Sequence, residues 1–403
     1  MKNLFADRME NVPASFIREI LKFTQSKDVI SFAGGLPNPA FFPVEDIKKS
    51  AVKVLEADGT RVLQYAETEG HLPLREYISD YMLRRKNLKV PVEEIQITNG
   101  SQQAIALICK TFLNKGETVV LERPSYLGAI QAISFYEPEF HTVELEDDGI
   151  NIEELESTLE AHPAKLFYSV PNFNNPSGIT WSLEKRQEVA RILSNHEMIY
   201  FEDDPYYEVR YEGEHLPSVK SFYDKNVILT SSFSKMVAPG FRIGWICAQK
   251  DLMEKIVISK QAADLQPGTF AQRVLHQYLT DYNIENHLVK IRETYKRQKD
   301  KMVEMMKQEL PEEVKFTNPQ GGMFLWATMP ENASCRDVLS ITIEKKVVFV
   351  PGDTFYVDGK GFNCMRLNFS NSPEEKIVKG VKILADAMKE VIAKHNKLKT
   401  VPV

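Results

Sequence analysis

Val227-Ile228-Leu229-Thr230-Ser231-Ser232-Phe233-Ser234-Lys235 opens as an apolar, strand-like run and ends in hydroxyls around a lysine. The same grammar recurs through the middle of the chain. Glu94-Ile95-Gln96-Ile97-Thr98 runs into Asn99-Gly100-Ser101, Thr118-Val119-Val120-Leu121 into Arg123-Pro124-Ser125-Tyr126, and Lys165-Leu166-Phe167-Tyr168-Ser169-Val170 into Pro171-Asn172-Phe173-Asn174-Asn175. Met198-Ile199-Tyr200-Phe201 runs into Glu202-Asp203-Asp204, and Gly244-Trp245-Ile246-Cys247 adds a further strand. Helical patterns lie between these runs, as at Ile105, Leu107, Ile108 and Phe112. Alternation of this kind predicts βαβ units, hence an α/β fold with a mostly parallel central sheet and helices on both faces. Every polar cluster then falls at a strand end, the edge where open α/β sheets bind ligands.

The pattern changes near residue 283. A long helical stretch carries Ile284, Leu288, Ile291 and Tyr295 on one face, and strand-like runs follow at Gly322–Trp326, Val347–Val350 and Met365–Phe369. Ser372-Pro373-Glu374-Glu375 reads as an N-cap, a first-position proline and a capping-box glutamate opening a final helix. At 403 residues the chain exceeds one compact core. The expected division is an N-terminal arm at 1–44, a large domain at 45–285 and a smaller α+β domain at 286–403.

Composition excludes several classes. Apolar content of 43% and charged content of 26% are those of an ordinary soluble protein. A net charge of −6 with both signs spread along the chain argues against nucleic acid as a partner. No apolar run approaches the ~20 residues that span a bilayer, and no secretory signal opens the chain. Cys109, Cys247, Cys335 and Cys364 are scattered without a Cys-x-x-Cys pair, which suits buried thiols in a reducing, cytoplasmic setting and offers no thiolate metal site. No metal is expected.

The polar clusters are open to plain readings one at a time. Lys235 with Arg242 seven residues on suits a phosphate ester and a carbonyl compound held as a Schiff base, yet most loop lysines are surface groups. Two adjacent carboxylates, Asp203 and Asp204, need positive partners; a protonated pyridine nitrogen is one, an exposed acidic loop the alternative. Asn175 is fixed by Pro176 in what is otherwise a turn. Ser101 and Gln102 open a helix whose free N–H groups form an anion site, or Ser101 simply caps it. Tyr126 would lie against an aromatic ring, or be half buried. Arg366, in the strand-like Cys364-Met365-Arg366-Leu367-Asn368, would clamp a carboxylate or sit in an internal salt bridge.

Taken in order along nearly the whole chain, these segments resemble the class I pyridoxal-phosphate aminotransferases of fold type I, nearest the 2-aminoadipate and kynurenine aminotransferase branch. The resemblance rests on Ser31-Phe32-Ala33-Gly34-Gly35-Leu36-Pro37, Leu63-Gln64-Tyr65, Gly100-Ser101-Gln102-Gln103, Asn175-Pro176-Ser177-Gly178, Asp203-x-x-Tyr206, Ser232-x-x-Lys235, Arg242 and Arg366. Serine stands at 177, where threonine is commoner in the family. The resemblance implies pyridoxal 5'-phosphate as cofactor and Lys235 as its Schiff-base lysine and proton shuttle. It implies that Asp203 pairs with the pyridine nitrogen, that Tyr206 and Asn175 bond the ring oxygen, and that Tyr126 stacks on the ring. Ser101, Gln102, Ser232 and Arg242 would hold the phosphate, with Tyr65 arriving from the other subunit of a homodimer. Arg366, with Asn175 and Gly35, would bind the substrate.

The implied partners are an amino acid and a 2-oxo acid, with 2-oxoglutarate as acceptor and a 2-aminoadipate, aromatic or branched-chain donor. In Ser15-Phe16-Ile17-Arg18-Glu19-Ile20-Leu21, Arg18 would meet a distal carboxylate from a helix lying over the pocket; the alternative is a helix with Arg18 in solvent. A lyase or decarboxylase on the same fold is the competing activity. A ligand-binding module of a transcription factor would need a winged-helix segment that the residues before Ser15 are too few to form.

Overall fold

The computed structural model describes residues 4–10 and 28–399; Arg18 and the helix expected around it lie outside them. Fourteen strands order the described chain. They are β1 (Ile30–Ser31), β2 (Ile95–Thr98), β3 (Thr118–Arg123), β4 (Glu139–Glu146), β5 (Gly149–Ile150), β6 (Leu166–Ser169) and β7 (Ile199–Asp203). Then come β8 (Val227–Ser232), β9 (Gly244–Cys247), β10 (Lys315–Phe316), β11 (Phe324–Thr328), β12 (Val347–Val348), β13 (Val350–Pro351) and β14 (Cys364–Asn368).

The large sheet has the order β2-β9-β8-β7-β6-β3-β4-β5. Its interior pairs, β8 with β7, β7 with β6, β6 with β3 and β3 with β4, are parallel. Strand β9 runs antiparallel to both β8 and β2. The reason is covalent reach: only Phe233–Ile243 joins β8 to β9, short of the dozen or so residues that a parallel crossover takes. Two antiparallel steps restore direction, so β2 is parallel to β8. The carboxyl ends of β2, β3, β6, β7 and β8 therefore share one edge with the amino end of β9.

Strands β2, β6, β7, β8 and β9 are buried along their whole length, which is why they read as continuous apolar runs rather than alternating ones. Helices cover both faces; the helix Ser101–Phe112, for example, buries Ala104, Ile105 and Ile108. Strand β4 escaped the sequence pattern because its residues are mostly exposed or half-buried.

The second sheet, β10-β11-β14-β13, is antiparallel throughout. It is flanked by the helix Cys335–Glu344 and by the long helices Ile284–Glu309 and Glu374–Lys399, which pack on each other. The expected run Val347–Val350 is divided at the buried Phe349 into β12 and β13. Strand β12 pairs in parallel with β1, Ile30 opposite Val347. Asn368 then donates its N–H to the Phe32 carbonyl at 2.8 Å, so the segment carrying Ala33 and Gly35 is held beside β14. The Ser372 hydroxyl, just before the last helix, donates to the Ser31 carbonyl at 3.4 Å, tying down that same arm. The four cysteines are free and buried, and no helix among the described residues is long and apolar enough to cross a membrane.

Candidate active site

The shared strand edge opens into a cavity of about 270 Å³ lined by Ser101, Gln102, Tyr126, Asn175, Asp203, Tyr206, Ser232, Lys235, Arg242 and Arg366, with Gly35 at its rim. Residues as far apart as Ser101 and Ser232 thus meet because parallel strands end together, while Gly35 and Arg366 come in from the N-terminal arm and the second sheet.

Strand alternation separates the three carboxylates that end β7. Glu202 accepts from the Ser218 hydroxyl at 2.7 Å, and Asp204 accepts from the Asn172 amide at 3.0 Å and pairs with the buried Lys86. Asp203 projects into the cavity. One of its oxygens, Oδ2, accepts from the Tyr168 hydroxyl at 2.9 Å, while Oδ1 is buried without a partner. Burial pushes the Asp203 carboxyl up to about 7, opposed by the Tyr168 hydrogen bond and assisted by the charge on Asp204.

Lys235 lies in the turn after β8, and its ammonium donates to the Gly35 carbonyl at 2.7 Å. No carboxylate faces it at ion-pair distance among the described residues. Burial, with the Arg366 and Arg242 guanidinium groups nearby, pushes its amine down to about 8.

Arg366 sits on β14 opposite Trp326 and Val350 and is 2% exposed. It donates from Nη1 to Asn175 Oδ1 at 2.7 Å and from Nη2 to the Ala33 carbonyl at 2.6 Å. The Phe324 and Phe355 rings lie under it at 4.4 and 5.0 Å, and its buried Nε has no partner. The internal salt bridge is therefore not what Arg366 makes among the described residues, and burial lowers its pKa to about 10.

Asn175 bridges, donating from Nδ2 to the Tyr206 hydroxyl at 3.4 Å while Oδ1 accepts from Arg366. Its loop needs Gly178 at φ +74, where a Cβ would sit 2.6 Å from the Phe324 carbonyl. Behind the loop, Glu122 accepts from the Val170 amide, Asn174 Nδ2 and Trp181 Nε1 at 2.8 to 2.9 Å. Burial pushes Glu122 up to about 7.

At the other end of the cavity the helix Ser101–Phe112 begins without a side-chain cap, Gly100 standing at the cap position with φ 81. Ordinary capping by Ser101 does not occur, so the first amides stay free for an anion. Arg242 lies over them, donating to the Asn99 carbonyl at 3.0 Å; a Cβ on Gly100 would sit 2.6 Å from its guanidinium. Ser232 Oγ accepts from the Ser234 amide at 2.9 Å. Tyr126 donates to Gln102 Oε1 at 3.1 Å, and Gln102 donates to the Gly128 carbonyl at 2.8 Å, fixing the ring against the helix start.

Tyr65 is the outlier. It is 78% exposed and does not line the cavity. Sequence reasoning also missed Tyr168, Glu122, Lys86 and Ser234. The first three act through partners far along the chain, which no local spacing encodes; Ser234 stood inside the quoted lysine segment.

Among the described residues, three cations and one carboxylate therefore surround the cavity, and none of the four has a countercharge. Such a site completes itself with a ligand bearing two anionic groups and one cationic N–H donor.

A family model described as Aminotransferase class I and II matches residues 27–384. The chain is 41% identical over 396 residues to aromatic-amino-acid aminotransferase 1 of Thermococcus litoralis, across 97% of this chain and 95% of that one. Kynurenine aminotransferase of Pyrococcus horikoshii, solved in complex with PMP, superposes with a TM-score of 0.92 at 40% identity, over 96% and 98% of the two chains. α-Aminoadipate aminotransferase of Thermus thermophilus, complexed with N-(5'-phosphopyridoxyl)-L-leucine, superposes with a TM-score of 0.91 at 35% identity, over 98% and 99%.

Proposed function

The chain belongs to the class I and II aminotransferases, and we propose that its donor is an L-amino acid of 2-aminoadipate, aromatic or branched-chain type and its acceptor 2-oxoglutarate. Its activity is amino-group transfer, and its cofactor is pyridoxal 5'-phosphate. When bound, that group supplies a carbonyl carbon for amine exchange and an electron-poor ring that takes up negative charge from the substrate Cα.

The residues fit this group on the orphaned atoms themselves. Asp203 Oδ1, buried and unpartnered, is the acceptor for a pyridinium N–H; Arg242 and the uncapped helix start are the donors for a phosphate. Lys235 Nζ, held near neutrality, is the nucleophile and the base that moves a proton at the substrate Cα. Tyr206 and Asn175 would bond the phenolic oxygen, Tyr126 would cover the ring, and Ser101, Gln102 and Ser232 would complete the phosphate cradle. Arg366 would receive the substrate α-carboxylate in a two-pronged hydrogen bond, with the Gly35 carbonyl at the same rim. Tyr65 belongs to this reading as a group lent by a second copy, supported by its 78% exposure beside Leu63 at 76%. The two sheets support a division into lobes at 45–285 and 286–403. A cytoplasmic setting accords with the free, buried cysteines.

The reading is carried by Asp203, Lys235 and Arg366 facing one cavity, each lacking a countercharge. A lyase or decarboxylase is not favoured, since the relatives are named aminotransferases. The reconstituted enzyme, given single amino acids without acceptor, should lose its visible cofactor band with 2-aminoadipate, leucine or aromatic donors, and 2-oxoglutarate should restore it with glutamate formed in equal amount. Release of ammonia without glutamate would refute the transfer reading. Arg18→Ala should weaken 2-aminoadipate more than leucine; equal loss for both would remove Arg18 from the specificity account.

A further inference from the structure

On the far side of the large sheet from the cavity, three metal-ligand side chains meet. Glu139 and His141 lie two residues apart on β4, so alternation puts both on one face. His162 closes the helix Ile152–Ala161, its amide donating to the Thr158 carbonyl at 2.9 Å. The donor atoms of Glu139, His141 and His162 all lie within 4.8 Å of one another. His141 Nε2 and Glu139 Oε1 are 3.2 Å apart, and the His141 and His162 rings stack with centroids at 3.7 Å.

The geometry points to a divalent transition-metal site formed by Glu139, His141 and His162, suited to zinc and the neighbouring borderline cations. Imidazole and carboxylate are the ligand types these ions take. Bonds of about 2.0 to 2.2 Å in tetrahedral array put donor atoms ~3.4 Å apart; one pair already meets that spacing, and the exposed Glu139 side chain is free to turn. Three protein ligands leave a fourth position for water.

Two further features support a cation here. His162 stands at the carboxyl end of its helix, where the backbone carbonyls favour positive charge, and Glu160 lies in the last turn of that helix. The ligand-bearing elements are also fixed to each other: the Glu144 amide donates to Glu154 Oε2 at 2.8 Å and the Asn151 amide to the Glu144 carbonyl at 2.9 Å. Because Glu139 and His141 occupy the amino half of β4, and β4 is parallel to β3, the site lies at the sheet edge opposite the strand ends that build the cavity. It is independent of the transfer reaction. Bound metal would join β4 to the helix end and stabilise the fold by linkage.

The test is titration of chelator-washed holoenzyme with zinc chloride by isothermal calorimetry, beside His141→Ala, His162→Ala and Glu139→Gln. One saturable site per chain is expected, weakened at least about tenfold in each histidine variant, together with a zinc-dependent rise in melting temperature that both histidine variants lose. Cobalt should give the visible bands of a tetrahedral site in the parent protein alone. All three residues are outside the cavity, so the variants should keep transfer activity. Absence of saturable zinc binding, or zinc affinity unchanged in both histidine variants, would overturn the site.

Discussion

Strand β7 divides two regions that treat buried charge in opposite ways. Behind it, Lys86 pairs with Asp204 and lies 4.0 Å over the Tyr207 ring, while Arg186 donates to the carbonyls of Trp181, Pro217 and Pro171 and to Asn172 Oδ1. In front, Lys235 has only a carbonyl, Asp203 keeps an unbonded oxygen and Arg366 an unbonded Nε. Each region holds a lysine, an aspartate and an arginine, all buried except the half-buried Lys235. A buried charge costs several kcal/mol unless paired, so Lys86, Asp204 and Arg186 are completed by their own chain, although Glu202 Oε1 beside them is buried without a partner, and the cavity group is completed only by ligands. Charges without a countercharge facing one cavity, more than residue type, mark the site.

The comparison can be broken from either side. The largest effect is expected for Lys235→Ala, which should lower glutamate formation at least ~1000-fold through loss of the proton shuttle, with no loss of thermal stability. Lys86→Met, in the finished region, should do the reverse. It leaves Asp204 buried without a countercharge, held only by the Asn172 amide, and should cost about 3–5 kcal/mol in denaturant unfolding; an unchanged midpoint would mean the pair is idle.

Asp203→Asn should shift stability the other way. A carboxyl raised in the folded state costs nothing below its ordinary pKa of 3.8 and an increasing amount as pH climbs through about 7. The cofactor-free protein should therefore lose stability between pH 4 and 8. The asparagine variant should escape that loss, gaining up to about 4 kcal/mol at pH 8, while losing activity. A pH-independent difference between the two proteins would contradict the orphan-charge account.

Arg366→Lys keeps the charge but not the fork, and should lower kcat/KM for the amino donor roughly 10- to 100-fold, mostly through KM. Smallest is Tyr168→Phe. It removes the one hydrogen bond that holds Asp203 down, so the acid limb of the pH–rate profile should move to higher pH with a modest fall in rate. Tyr168 acts by positioning Asp203, and a uniform rate loss with no displacement of the profile would indicate a packing role instead.

Much of the fold was legible in the sequence because buried parallel strands write themselves as unbroken apolar runs. Strand β4 did not, since mostly exposed and half-buried residues leave no such run, and the reversal at β9 follows from linker length rather than from composition. The cavity residues were legible as strand-end clusters whose meaning came from family resemblance. Their finished counterparts were not: Lys86 finds Asp204, and Tyr168 finds Asp203, across distances in sequence that no spacing rule spans. The Glu139, His141 and His162 cluster was hidden for the same reason, with its third member on a different element.

The most direct measurement sets the cavity lysine, Lys235, against the buried Lys86. Holoenzyme reduced with borohydride, digested and analysed by mass spectrometry should carry the cofactor mass on Lys235 alone, with Lys86 unmodified, because Lys86 is taken up by Asp204 while Lys235 lines the cavity with its amine pushed down to about 8. Cofactor attached to Lys86 or another lysine, or an unlabelled Lys235 peptide from active enzyme, would contradict the account.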